Sequence, residues 1–202
     1  MLKNYLTPPT LSERRFIDTP RATAYHGAKK TALLCGPIVP AYGCVPSRLY
    51  VLGERAGEKE HDQGVPFGGK AGETLHNWFH DAKLDLDSYR RWNVCIDYKR
   101  DNLKPLRWEI ERDRLAVQTD IVRCQPKVIV AVGVHAMRWC LKSRSNLGEV
   151  HGKTFPVQIG DHKAVCVPIY HPSTYGRIER AKMGKADVLK VADCLTRMTP
   201  RT

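Results

Sequence analysis

The chain has no CxxC pair among its seven cysteines, no repeat and no low-complexity tract. No apolar run approaches the roughly eighteen residues that a membrane helix needs. The cysteines, at 35, 44, 95, 124, 140, 166 and 194, are odd in number and irregularly spaced, which argues against a disulfide framework and for a reducing compartment. Cys166 lies in an apolar run and Cys140 follows Trp139, so both are expected as buried core thiols. The N-terminus carries Pro8, Pro9, Glu13, Arg14 and Arg15 and lacks the unbroken apolar stretch of a secretory signal. These absences point to a cytoplasmic protein with no membrane association. Acidic residues are scarce as well: 21 Asp and Glu against 33 Lys and Arg leave a net charge of +12. Such an excess attracts polyanions, and nucleic acid is the commonest one inside cells. The basic residues are dispersed, in Lys29-Lys30, Lys99-Arg100, 104–114, 142–144 and 177–190.

What is present suits one domain. Of the 202 residues 42% are hydrophobic, enough for a core and too many for a disordered chain. Residues 1–47 read as an N-terminal arm and lead-in, and 48–202 as an α/β domain. Strands are expected at 49–52, 92–96, 127–132 and 163–168. Helices are expected at 71–83, 134–142 and 178–198. Another follows the second strand, with Trp108, Leu115 and Val122 on its apolar face. Near-continuous apolar strands separated by helices predict a single α/β domain. Its core is a four-stranded, mostly parallel sheet with helices on both faces. Ligands of such sheets bind beyond the carboxyl ends of the strands.

Three polar segments fall there. The first runs from Gly53 through Glu54, Arg55, Glu60, Gln63 and Phe67 to Lys70 and Gly72. Its glycines permit sharp turns and close approach to a ligand, and a carboxylate directly after a strand can hold a water or face a developing cation. Gly68 and Gly69 beside Phe67 point to a roomy pocket. The second is Asn93, whose amide offers donor and acceptor together, as reading a pyrimidine edge requires. The third is 170–177, where His171 can donate to an oxyanion and Ser173 can bind phosphate.

In order and spacing the three resemble the uracil-DNA glycosylase superfamily, closest to its family-four branch. That branch has a GE-x-PG loop, an acidic stretch, Q-G-x-P-F and a G-x-A-G helix start, and residues 53–72 match it without a gap. Asn93-Val94, the strand from Pro126 to Gly133, the turn at Gly152-Lys153 and the loop from His171 to Ser173 complete the pattern. The resemblance implies a monomeric monofunctional DNA glycosylase of base excision repair. Such an enzyme flips a base and hydrolyses its glycosidic bond. By the same resemblance Glu54 orients water or stabilises the sugar cation, and Glu60 is a second acid. Gly53, Arg55, Gln63, Phe67 and Asn93 line the base, and His171 stabilises its 2-carbonyl oxygen. Lys70, Ser173, Tyr175 and Arg177 contact the DNA. Uracil is the leading substrate. A hydroxymethylated or glucosylated pyrimidine of viral DNA is an alternative, as is a relative that binds lesions without cutting.

The match is incomplete. Family-four enzymes hold an iron–sulfur cluster on four cysteines that begin with CxxC, whereas eight residues separate Cys35 from Cys44 here. Cys95 lies two positions ahead of the third ligand's place, and the next cysteine is Cys124. The expectation is therefore no cofactor; any cluster would have to use Cys35, Cys44, Cys95 and Cys124. GERAG replaces the usual loop, putting Arg55 beside the catalytic glutamate. The histidine used by relatives that trap uracil covalently is missing.

Overall fold

A computed structural model describes residues 36–100, 103–173 and 178–198. Strand β1 (Leu49–Arg55) leads through a short helix α1 (Glu58–Gln63) into α2 (Lys70–Asp81). Strand β2 (Arg90–Cys95) and the long helix α3 (Arg107–Cys124) follow. Next come β3 (Val128–Val132), α4 (Gly133–Leu141) and the single turn α5 (Leu147–Val150). A hairpin of β4 (Phe155–Ile159) and β5 (His162–Ile169) precedes the last helix, α6 (Ile178–Arg197).

The sheet order is β2-β1-β3-β5-β4, with the first four strands parallel and β4 antiparallel at the edge. Alternation along the strands sorts the apolar residues into two cores. Leu49, Val51, Val128, Val130 and Val167 meet Leu75 and Phe79 of α2 and Val188 and Val191 of α6. Tyr50, Leu52, Ile129, Ala131 and Cys166 meet Val117 and Ile121 of α3 and Ala136 and Met137 of α4. Both faces are covered, which is why the strands read as unbroken apolar runs.

The sheet has five strands where the sequence reading has four. Strand β4 returns through the two-residue turn Gly160-Asp161, with Ile159 paired to His162 and Gly160 at φ 62°. A Gly-Asp pair between apolar segments is a hairpin signal. Pro156 hid it, because proline removes a ladder donor, a loss that an edge strand tolerates.

The expected apolar face of α3 is also wrong. Leu115 is 66% exposed and Trp108 lies at the surface. The buried face carries Glu109, Asp113, Val117, Ile121 and Cys124 instead. Hydrophobic periodicity fails because the amino-terminal half of that face is charged and neutralised by ion pairs. Residues 36–47 run along β2, where Val39 accepts from Trp92 Nε1 at 2.8 Å and Tyr42 exchanges backbone hydrogen bonds with Arg91. Cys140 and Cys166 are buried, as expected.

Candidate active site

Four parallel strands end side by side, and each delivers one element of the site. Asn93 of β2 is the register partner of Gly53 of β1. Leu52 pairs with Ala131 of β3, and Val132 pairs with Ile169 of β5, two residues before His171. With adjacent strands about 4.8 Å apart, the four carboxyl ends fit within roughly 15 Å.

Glycine at 53 is a steric requirement. A Cβ there would stand 2.3 Å from Asn93 Oδ1 and 2.6 Å from Phe67 Cζ, so the amide and the ring close over this backbone. Asn93 is 3% exposed, and its Nδ2 has no hydrogen-bond partner among the described residues. A buried amide donor without an acceptor carries a desolvation penalty of about 1–3 kcal/mol, which a ligand carbonyl would remove.

Phe67 is buried and has φ 60°, a conformation unfavourable for an aromatic residue. Glu60 explains how it is held. Its carboxylate accepts hydrogen bonds from the backbone N–H groups of Phe67 and Gly57. Burial raises the Glu60 pKa, and these two bonds only partly oppose that. Both carboxylate oxygens are committed to the loop backbone. A Cβ on Gly68 would lie 2.2 Å from Gln63 Oε1, so the glycine admits the Gln63 side chain, whereas a Cβ on Gly69 would meet only Lys59 Cβ at 3.8 Å. Lys70 opens α2 and is exposed.

Arg55 is turned into the protein. Its side chain is 4% exposed, and its guanidinium lies 2.7 Å from Glu109 and 3.6 Å from Asp97. Lys99 also pairs with Glu109, and Arg112 bridges Asp97 and Asp113. Burial pushes the Glu109 carboxyl up, but Leu106 N–H, Lys99 and Arg55 outweigh it and hold the group below its ordinary range. The arginine next to Glu54 in sequence is thus a strut between β1, the segment just past β2, and α3.

On the opposite flank, His171 packs over Gly133, where a Cβ would be 3.4 Å from the His171 Cβ. Burial pushes its pKa down to about 4, so the ring is neutral near pH 7. The Ser173 N–H donates to His171 Nδ1 at 3.2 Å, with Ser173 Oγ 2.6 Å from the same nitrogen. A backbone N–H can only donate, so Nδ1 is the acceptor and the ring proton sits on Nε2. Ser173 therefore fixes the tautomer of His171. Tyr175 and Arg177 lie outside the described residues.

Two supporting features escaped sequence reading. Tyr170 packs against His151 with ring centroids 4.6 Å apart, and His151 Nδ1 lies 2.8 Å from Asp187 Oδ2 of α6, bracing the loop from behind. His135, in the first turn of α4, has its Nε2 4.0 Å from Glu54 Oε1. No local motif marks either histidine; only the strand order brings them to the site.

Among the described residues, Cys44, Cys95 and Cys124 do not converge on one cluster site. Cys95 ends β2, whereas Cys44 donates to Ser88 O and Cys124 to Ser47 O at its other end, where Ser47 Oγ also accepts from Arg90 N–H. Six strand residues put roughly 16 Å between the two ends. Cys35 lies outside the described residues. Burial also pushes the Cys95 thiol up to about 12 and Cys124 up to about 11, against the thiolate form that iron requires. Cys95, Asp97 and Asp113 converge, but Arg55 and Arg112 supply the positive charge there.

At the carboxyl ends of the parallel strands the fold thus gathers an unsatisfied amide beside an aromatic ring, the Glu54 carboxylate of β1 and, across β3, the neutral imidazole that follows β5. The profile of the uracil DNA glycosylase superfamily matches residues 40–193. The type-4 uracil-DNA glycosylase of Sulfurisphaera tokodaii is 27% identical over 140 residues, covering 67% of this chain and 64% of that protein. That of Saccharolobus solfataricus is 26% identical over 140 residues, covering 67% and 65%. That of Archaeoglobus fulgidus is 28% identical over 141 residues, covering 67% and 70%. The chain thus spans just under two thirds of the length of the first two. It belongs to the uracil DNA glycosylase superfamily.

Proposed function

We propose that this protein is a monofunctional DNA glycosylase that flips uracil out of DNA and hydrolyses its N-glycosidic bond, leaving an abasic site. The observation that carries the reading is the buried, unpartnered Nδ2 of Asn93 beside the Phe67 ring. An amide with a free donor matches the 4-carbonyl of uracil, while its oxygen can accept from N3–H. Cytosine presents the reverse pattern at both positions. The names of the matched relatives favour the same base.

As the C1′–N1 bond breaks, its electron pair moves onto the base and charge collects on the 2-carbonyl oxygen. His171 donates its Nε2–H to that oxygen and needs no proton of its own to transfer. The sugar becomes cationic at C1′, where the Glu54 carboxylate favours it electrostatically. A water then adds through its oxygen to C1′ and gives its proton to Glu54. Phe67 stacks on the extruded base and recovers part of the unstacking cost. Glu54, Asn93 and His171 supply no amine, which favours hydrolysis over lyase chemistry. The +12 charge favours DNA as partner. We place the protein in the cytoplasm, acting as a monomer; no helix among the described residues is long and apolar enough to cross a membrane. A hydroxymethylated or glucosylated pyrimidine is the alternative substrate.

The test is incubation of the protein with labelled oligonucleotides carrying uracil, hydroxymethylated or glucosylated pyrimidines, followed by cleavage at abasic sites. Uracil DNA is expected to be cut, with losses of about 10²–10⁴-fold in Glu54→Ala and His171→Ala. Tight binding without abasic product on any oligonucleotide would favour a lesion-binding relative.

A further inference from the structure

We propose that His135 is a water-positioning residue that works with Glu54; this rests on the glycosylase reading above. Strands β1 and β3 are parallel neighbours, so Glu54, two residues after Leu52, and the start of α4, two residues after Ala131, rise side by side. Gly133 takes φ 85° at the junction and turns the chain directly from strand into helix. Its backbone packs against His171, so the same turn touches one imidazole and two residues later presents the other.

The His135 Nε2 to Glu54 Oε1 separation of 4.0 Å is too long for a hydrogen bond and is the kind of gap that a bridging water closes. A water about 2.8 Å from both atoms would subtend an angle of roughly 90° between them, leaving one lone pair free. Both side chains are a little over a quarter exposed, His135 at 28% and Glu54 at 27%, so solvent reaches the gap. A carboxylate alone accepts one proton of a water and leaves its orientation free. A second polar group at fixed distance removes that freedom and aims the oxygen. When the oxygen adds to C1′, one proton passes to Glu54 and the other stays on the new hydroxyl of the abasic sugar; His135 gains and loses nothing overall.

The test compares His135→Ala and His135→Gln with the wild-type full chain in single-turnover release of uracil and in binding to DNA with a non-hydrolysable uridine analogue. Glutamine places its amide nitrogen near the position of Nε2. His135→Ala is expected to lose roughly tenfold or more in rate with binding within about twofold of wild type, and His135→Gln to recover most of it. In a Glu54→Gln background, His135→Ala should cost little further. Wild-type rates in His135→Ala, or a loss confined to DNA affinity, would overturn the proposal and leave the glycosylase reading intact. A wild-type protein that releases no base would overturn both. Unfolding midpoints of both variants separate misfolding from a local effect, and an alanine variant that melts early leaves the glutamine variant to decide: at the wild-type rate it supports the proposal, and at the alanine rate it overturns it.

Discussion

Arg55→Met tests where the unusual arginine acts. The substitution keeps the aliphatic stem and removes the charge from the Glu109 and Asp97 pairs. Across 2.7 Å the Coulomb attraction to Glu109 is about 6 kcal/mol at an effective dielectric near 20, much of it offset by the cost of burying both charges. What the variant leaves behind sets the net effect. Glu109 is fully buried but keeps Lys99, and Asp97 keeps Arg112. The expected loss is therefore about 3 kcal/mol, the low end for breaking a buried pair, or roughly 6–12 °C in melting temperature for a domain of this size. Denaturant unfolding measures it. Arg55→Met with Glu109→Met should lose less than the sum of the single changes, because the second removes the stranded carboxylate. Base release per folded molecule should stay within about threefold. Wild-type stability combined with a large loss of base release would refute the reasoning and put Arg55 back beside the substrate.

Gly53→Ala should abolish base release, since its Cβ would meet Asn93 Oδ1 at 2.3 Å and the Phe67 ring at 2.6 Å, and should cost about 1–3 kcal/mol of stability as for other overpacked sites; calorimetry and the cleavage assay read both. His171, with its pKa lowered to about 4, should show no imidazole titration by NMR between pH 5.5 and 8; a midpoint near 6.5 would contradict the neutral-donor role. The same shift has a stability sign. Between the ordinary 6.5 and about 4 the unfolded ring binds a proton that the folded ring refuses, so stability is lost as the pH is lowered through that window, by on the order of 3 kcal/mol at most, and His171→Asn should remove that part. Purified protein should hold no stoichiometric iron or sulfide, and chelators should leave its melting temperature unchanged; a visible chromophore lost in Cys95→Ser would overturn the separation of the cysteines.

Much of the fold was legible because the parallel strands are buried on both faces and carry unbroken apolar runs. Glu54, Asn93 and His171 could be singled out because the first two lie in the carboxyl halves of such strands and the third two residues beyond one. What sequence misplaced were side chains with two plausible partners. Glu60 lies in an acidic stretch that suggests chemistry, yet its carboxylate closes on the backbone of Gly57 and Phe67. Glu109 and Asp113 broke the periodicity of α3 because a buried carboxylate looks like a surface residue until its cations are found. His135 was invisible because the contact with Glu54 depends on β3 lying next to β1, a neighbourhood that no local pattern specifies.

Arg55 shows how one departure in a motif can change meaning without leaving the motif. Strand β1 alternates, so if residue 54 turns toward the site, residue 55 turns away from it, and an arginine there needs buried acceptors. Glu109 on α3 and Asp97 just past β2 provide them, while Arg112 and Lys99 balance the remaining negative charge. The network ties the carboxyl ends of β1 and β2 to the first turns of α3, the region that must stay rigid if Gly53, Phe67 and Asn93 are to hold their close contacts. On the proposed function the arginine acts through the backbone it anchors, and its replacement should loosen the pocket only as far as it loosens the fold.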